Sequence, residues 1–345
     1  MTLDRRAFIK AVAAGAVAAA APRLSRAINC ASANCRPMES YPTVIARESG
    51  RLRLLLATDL HYCAHPGRQD LRTSDHLRRM TDKFQPDAVI VCGDMWYENP
   101  EGKGLSFCEF ACGEMGKLGV PWAFARGNHD TVSPEHDDRA RELLASARNS
   151  LYARNAWQDC YRVEVKSPGA GRLFWNLYLL NNAYPKLRGF RREQLEWFGR
   201  EAARVRELYG ADLPAFACFH IPLPEWQDAI ANRSARGVKL EKVSIEDGSA
   251  GAFEALTAPG QVRAMFCGHD HVNNFHGTLK GVYIEYVRGT GQGSYGGMRL
   301  RKGATLAEVD TTGPEPVFHT ATVLPSGKKF TFQRRVIEWG PGRKA

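Results

Sequence analysis

From Arg51 onward the chain switches repeatedly between two hydrophobic periods. Apolar runs at residues 52–58, 88–92, 122–126, 161–165, 173–180, 215–220 and 262–267 predict strands. Between them, apolar residues recur three and four apart. Leu77, Met80 and Phe84 predict a helix around residues 73–84, and Cys108, Cys112 and Met115 predict one over 105–118. Residues 135–147 read as a third helix, and Leu195, Phe198, Ala202, Val205 and Leu208 form the stripe of a fourth. Beyond Phe275 the helical spacing stops. Residues 275–279, 282–287, 305–310, 317–323 and 329–332 predict strands joined by turns. This order predicts an α/β fold with two β-sheets sandwiched between helices. No internal repeat and no break marks a second domain. Residues 51–312 read as one domain, with 313–345 as a C-terminal extension adding strands to a sheet edge.

The first 27 residues read as an address. Arg5-Arg6, then Phe8 and Lys10, precede a weakly apolar Ala/Val/Gly run over residues 11–21, which resembles a twin-arginine export signal. The run is too short to span a bilayer. Export would place the mature chain in the periplasm or outside the cell, with the twin-arginine machinery as partner. Ala27-Ile28-Asn29 before Cys30 lacks the small residue a lipoprotein acceptor needs, so no stable membrane anchor is expected. Residues 28–50, with Pro37 and Pro42, read as a linker.

Composition then narrows the partners. Of the 345 residues, 44% are hydrophobic and 24% charged, which excludes a disordered or fibrous chain. The net charge of +10 suits an anionic partner. Losing residues 1–27 removes five basic residues and one acidic residue, however, leaving +6. No basic stripe interleaved with aromatics remains, so no nucleic-acid partner is expected. The nine cysteines form no C-x-x-C. Cys92, Cys218 and Cys267 lie inside apolar runs and read as buried thiols, while Cys30 and Cys35 could pair.

Chemistry concentrates where the strands end. Asp59-Leu60-His61, Gly93-Asp94, Gly127-Asn128-His129-Asp130, His220-Ile221-Pro222 and Gly268-His269-Asp270-His271 each follow a predicted strand. Ligand sites of α/β sheets lie beyond the carboxyl ends of their strands, so the five fragments can converge. Together they offer carboxylates, an amide oxygen and imidazoles without thiolates, a donor set suited to Mn, Fe or Zn and large enough for two ions. Each fragment alone is weak, Gly93-Asp94 reading more readily as a turn and Gly268-His269-Asp270-His271 being the strongest of the five; their joint order carries the signal.

In that order the fragments resemble the signature of the calcineurin-like dinuclear metallophosphoesterases: D-x-H, G-D, G-N-H-[DE], a lone His and G-H-x-H. The resemblance covers roughly residues 51–310 and is nearest to a purple-acid-phosphatase-like branch that keeps D-x-H, on the further text Pro121-Trp122-Ala123, Phe219-His220-Ile221-Pro222-Leu223-Pro224-Glu225, Gly289-Thr290-Gly291 and Ser294-Tyr295-Gly296. It implies a four-layer αββα sandwich with two mixed sheets. It also implies that Asp59, His61 and His271 hold one metal ion, that Asn128, His220 and His269 hold the other, and that Asp94 bridges them. The ions would be divalent, or Fe(III) with a divalent partner, sharing a hydroxide that attacks a phosphate ester. His129 is then the candidate general acid, with Asp130 either orienting it or lying in solvent. Arg126 and Arg288 could neutralise phosphate charge or be structural. Tyr97 completes a G-D-x-x-Y in which purple acid phosphatases use the Tyr as a ferric ligand. Those enzymes have Gly where this chain has His61, so His61 is taken as the ligand and Tyr97 as its neighbour. The expected activity is that of an exported phosphomonoesterase acting on a small phosphate ester. A phosphodiesterase or nucleotidase on the same site is the alternative, decided by what borders the crevice near residues 222–226 and 289–297. A non-catalytic phosphate- or metal-binding protein is a remoter one.

Overall fold

The computed structural model describes residues 40–64, 68–169, 171–187, 189–210, 213–249 and 251–338. The expected signal segment and the Cys30–Cys35 pair lie outside them. The strands are β1 (Thr43–Ile45), β2 (Arg51–Ala57), β3 (Ala88–Cys92), β4 (Trp122–Ala125), β5 (Tyr161–Lys166), β6 (Leu173–Leu179), β7 (Ala215–Cys218), β8 (Arg236–Lys239), β9 (Val262–Cys267), β10 (Asn273–Leu279), β11 (Val282–Tyr286), β12 (Ala304–Asp310), β13 (Val317–Val323), β14 (Lys329–Phe330) and β15 (Ile337–Glu338). The helices are α1 (Arg68–Phe84), α2 (Gly104–Gly116), α3 (Asp137–Ser146), α4 (Arg192–Tyr209), α5 (Glu225–Ala231) and α6 (Ala252–Thr257). Among the described residues no helix is long and apolar enough to cross a membrane.

The strands form two mixed sheets. One runs β14-β13-β12-β2-β3-β4 and the other β1-β5-β6-β7-β9-β11-β10-β8-β15. In the first, β2, β3 and β4 are parallel; in the second, β6, β7, β9 and β11 are. Parallel neighbours send their carboxyl ends to the same edge, which gathers the five fragments there.

Side-chain parity builds the layers. Along β7, Phe216 and Cys218 join the core between the sheets, whereas Ala215 and Ala217 join the cluster under α4, α5 and α6. Phe216 meets Phe266 of its own sheet and Phe318 of the other, both at ring-centroid distances of 5.2 Å. Truncating such an aromatic to Ala costs about 3–5 kcal/mol. Leu77 and Met80 of α1, Phe107 of α2 and Leu144 of α3 pack on the six-stranded sheet. The result is an αββα sandwich. Leu208, on the expected α4 stripe, is exposed instead, because the buried face ends at Val205.

Elements absent from the periodicity are short. Residues read as linker include β1, which pairs parallel to β5 through Val44 and Val165. At the other end, β14 extends the six-stranded sheet and β15 the nine-stranded one. The helices α5 and α6 were likewise unmarked, being too brief to show a stripe.

Candidate metal centre

At the carboxyl edge the two sheets bring all five fragments together. Asp59, His61, Asp94 and His271 are buried, and one donor atom from each lies within 4.8 Å of the others. His61 and His271 turn their Nε2 atoms to 3.2 Å. A second group adjoins the first: His220 Nε2 is 3.0 Å from Asn128 Oδ1 and 3.3 Å from His269 Nδ1. Asp94 lies between them, its Oδ2 being 3.6 Å from His61 Nε2 and 3.1 Å from His220 Nε2. It therefore lies within 3.6 Å of an imidazole of each group.

The backbone is bent to make this possible. Asp59, His61, Asp94 and His269 all have positive φ, at 55°, 51°, 53° and 80°. Left-handed backbone is uncommon outside glycine and concentrates at functional sites. Two motif glycines are required by close approach. A Cβ on Gly93 would come within 2.2 Å of His220 Nδ1, and one on Gly268 within 1.8 Å of Thr58 Oγ1. Backbone bonds tie the fragments together: Asp59 N–H donates to Gly93 O (3.1 Å), His61 N–H to Asp94 O (3.0 Å) and Gly268 N–H to His220 O (3.0 Å).

Neighbours fix the rings. His220 Nδ1 donates to Cys92 O at 2.9 Å, which aims Nε2 into the site. His220's own N–H and that of Ile221 donate to Asn182 Oδ1. Asn182 follows β6 and obeys the same strand-end rule as the other fragments, the one signal that could have found it.

The donor set fits metal ions. Both oxygens of Asp59, Oδ2 of Asp94, and Nδ1 of His61 and of His271 are buried without a hydrogen-bond partner. Buried carboxylates left this way are costly unless a cation meets them. Burial alone would raise the Asp59 and Asp94 carboxyls, but His271 beside Asp59 and His220 beside Asp94 hold both below the ordinary carboxylate range. Burial would lower His220, yet Asp94 pushes it up to about 10. Burial takes His61 and His269 down to about 4, their neutral, ligating form. The pocket thus places carboxylates that need positive charge beside His61 and His269, which burial keeps neutral, and His220, which Asp94 keeps protonated until a metal ion takes the proton's place.

This geometry agrees with what the chain resembles. The calcineurin-like phosphoesterase family model matches residues 52–273. The chain belongs to that family. It is 26% identical over 301 residues to the probable inactive purple acid phosphatase 29 of Arabidopsis thaliana, covering 76% of this chain and 77% of that one. Identity to the probable inactive purple acid phosphatase 14 of the same plant is 29% over 291 residues, 72% of each chain. A dimetal phosphatase from Danio rerio shares the fold with a TM-score of 0.51, at 16% identity over 78% of this chain and 95% of its own. Family and cluster together fit two divalent metal ions.

Around this family site, several residues stand otherwise than expected. His129 lies at the mouth, its backbone N–H donating to Asp94 Oδ1 (2.9 Å) and its Nδ1 3.0 Å from Glu98 Oε1. Glu98, not Asp130, therefore orients the imidazole. Asp130 is buried and accepts from the N–H groups of Asp94, Trp96 and Gly127, clamping the two loops. Burial, with Asp94 nearby, raises its carboxyl to about 8. Tyr97 stacks on His129 (5.5 Å between centroids) and tilts against His61 (5.4 Å). Neither arginine faces the crevice as a free cation. Arg126 pairs with Asp137 and Asp159, and Arg288 binds Arg301 O and Asn274 Oδ1.

Proposed function

We propose that this chain is a metal-dependent phosphomonoesterase that acts in the periplasm or outside the cell after twin-arginine export. The observation that carries the catalytic reading is the pair of adjoining donor clusters sharing Asp94, with His129 at their mouth. Bound metal ions supply Lewis acidity toward a phosphoryl oxygen and activate water near neutral pH. The chain's residues do the rest. Asp59, His61 and His271 would hold one ion, Asn128, His220 and His269 the other, and Asp94 both. His129, oriented by Glu98 through Nδ1, presents Nε2 to protonate the departing alkoxide. The identity of the ions among Fe, Mn and Zn follows from no single residue, since this mixed N/O set accepts all three.

Purified protein reconstituted with Mn, Fe or Zn should hydrolyse phosphomonoesters faster than diesters or nucleotides, and chelation should abolish turnover. Diester or nucleotide preference would replace the monoesterase reading with its alternative on the same site. Metal binding without hydrolysis of any of them would leave a non-catalytic phosphate- or metal-binding protein; the Arabidopsis relatives are themselves named probable inactive phosphatases. For export, replacing Arg5-Arg6 by Lys-Lys should retain the protein in the cytoplasm; unchanged fractionation would remove that part of the proposal.

A further inference from the structure

The segment Gly289-Thr290-Gly291-Gln292-Gly293-Ser294-Tyr295-Gly296-Gly297 contains one aromatic residue. It is seated on the D-x-H fragment: a Cβ on Gly291 would come within 2.2 Å of Asp59 O. Buried Lys302 pins it from beneath, its Nζ donating to Ser294 Oγ (2.6 Å) and Tyr295 O (2.7 Å). At the far end of the side chain, the Tyr295 hydroxyl donates to Glu241 Oε2 (2.6 Å), while Glu241 Oε1 accepts from Val272 N–H (2.8 Å), the residue after His271. Tyr295 is therefore tied at both its backbone and its hydroxyl.

One contact is with the metal site itself. The Tyr295 ring stacks on His271 with centroids 4.1 Å apart and planes at 28°. Yet the residue stays 55% exposed, and Met298 beside it is fully so. With Leu240, Val272 and Arg299 they line a concavity of about 360 Å³. Partly exposed tyrosines are common, as Tyr97 and Tyr209 are here. This one is immobilised and open, which is how an aromatic surface binds a flat partner without losing its own freedom on binding.

We infer that Tyr295, positioned by Lys302 and Glu241, is the wall of a subsite for a planar ring in the organic part of the phosphate ester. The inference rests on the phosphohydrolase reading and adds its substrate class: esters of aryl or heteroaryl groups over small alkyl ones. Offset stacking accounts for up to about a tenfold preference. Met298 supplies an adaptable apolar edge to the same concavity.

Phenylphosphonate and methylphosphonate share the phosphonate head and resist hydrolysis, so their binding separates the subsite from catalysis. Calorimetry on the full-length, Mn-loaded protein should find phenylphosphonate bound about tenfold more tightly. Tyr295→Ala should bring it down to the affinity of methylphosphonate, and Tyr295→Phe, which keeps the ring, should retain most of the preference. Equal affinities in the unaltered protein, or a preference surviving Tyr295→Ala, would overturn the subsite and leave the phosphate site standing. Binding of neither phosphonate, nor of inorganic phosphate, would overturn the phosphohydrolase reading and the subsite with it.

Discussion

Two clusters of buried charge touch in sequence only where Arg126 precedes Gly127-Asn128, and they are built on opposite principles. Around Asp159 the carboxylate finds all its partners within the chain. Its carboxylate receives Arg141 Nε (3.1 Å) and Nη2 (3.2 Å), Arg126 Nη1 (3.4 Å) and the Tyr152 hydroxyl, while the Arg126 guanidinium lies 3.5 Å over the Tyr184 ring. Around Asp59 and Asp94 the carboxylate oxygens face imidazoles, and both Asp59 oxygens lack a hydrogen-bond donor. A complete ion-pair network is a structural element. An incomplete one of equal burial is a candidate cation site, because the imidazoles around it, His220 included, leave both Asp59 oxygens and Asp94 Oδ2 without a hydrogen-bond donor.

The largest effect expected from this contrast is at Asp94. Asp94→Ala should reduce phosphatase activity to background and lose both metal ions, whereas His61→Ala should weaken chiefly one. Two ions per chain retained in Asp94→Ala, by elemental analysis, would break the assignment of Asp94 as the shared ligand. Next comes His129, which borders the incomplete cluster without belonging to it. His129→Asn should lower kcat/KM for an alkyl phosphate by about 10²–10⁴-fold. An activated aryl phosphate should suffer far less, because a phenolate leaves without needing a proton. Parallel plots of kcat/KM against leaving-group pKa for wild type and variant, at matched metal occupancy, would remove the acid role.

The complete cluster should respond in the opposite way. Asp159→Asn removes the buried carboxylate of this network, leaving Arg126 and Arg141 to share Asp137, and should destabilise the fold by about 3–5 kcal/mol, read in denaturant titration, with metal content unchanged. Loss of metal at full occupancy of the folded state would show that the two clusters are coupled. The smallest effect concerns a third buried carboxylate. Glu285 lies between hydroxyls, accepting from Thr305 (3.1 Å) and Tyr283 (2.9 Å), and burial raises it to about 7. It meets the same problem by keeping its proton. Its folded pKa exceeds the unfolded value of 4.5, so its stabilisation is complete below pH 4.5 and is lost as pH rises toward 7. Glu285→Gln should therefore flatten the fall in Tm across that window. An unchanged slope would show Glu285 to be ionised in the fold.

Much of the site was legible because the strand-end rule is local. An apolar run followed by Asp59-Leu60-His61 or Gly268-His269-Asp270-His271 shows in the sequence both the strand and the polar residues leaving its carboxyl end. Glu98 was not legible, since nothing in its own neighbourhood shows that it turns back to His129. Tyr295 lay in a stretch marked as bordering the crevice, but its stacking on His271 depends on Lys302 and Glu241, which arrive from elsewhere. The strand β1 was missed because three residues are too few to display a period, and pairing with β5 decides their conformation.

The sequence by itself determined the alternation of strands and helices, the edge on which polar side chains collect, and the order of the fragments there. These follow from near-neighbour periodicity and the directionality of parallel strands. Only the tertiary structure decided which buried charges are already neutralised and which are left waiting. Arg126 stands next to the G-N-H-D fragment in sequence, yet it serves Asp137 and Asp159 and not the crevice. His61 and His271, 210 residues apart, face each other across 3.2 Å. Charge compensation is a sum over everything that folding brings within a few ångströms, so no stretch of chain contains it.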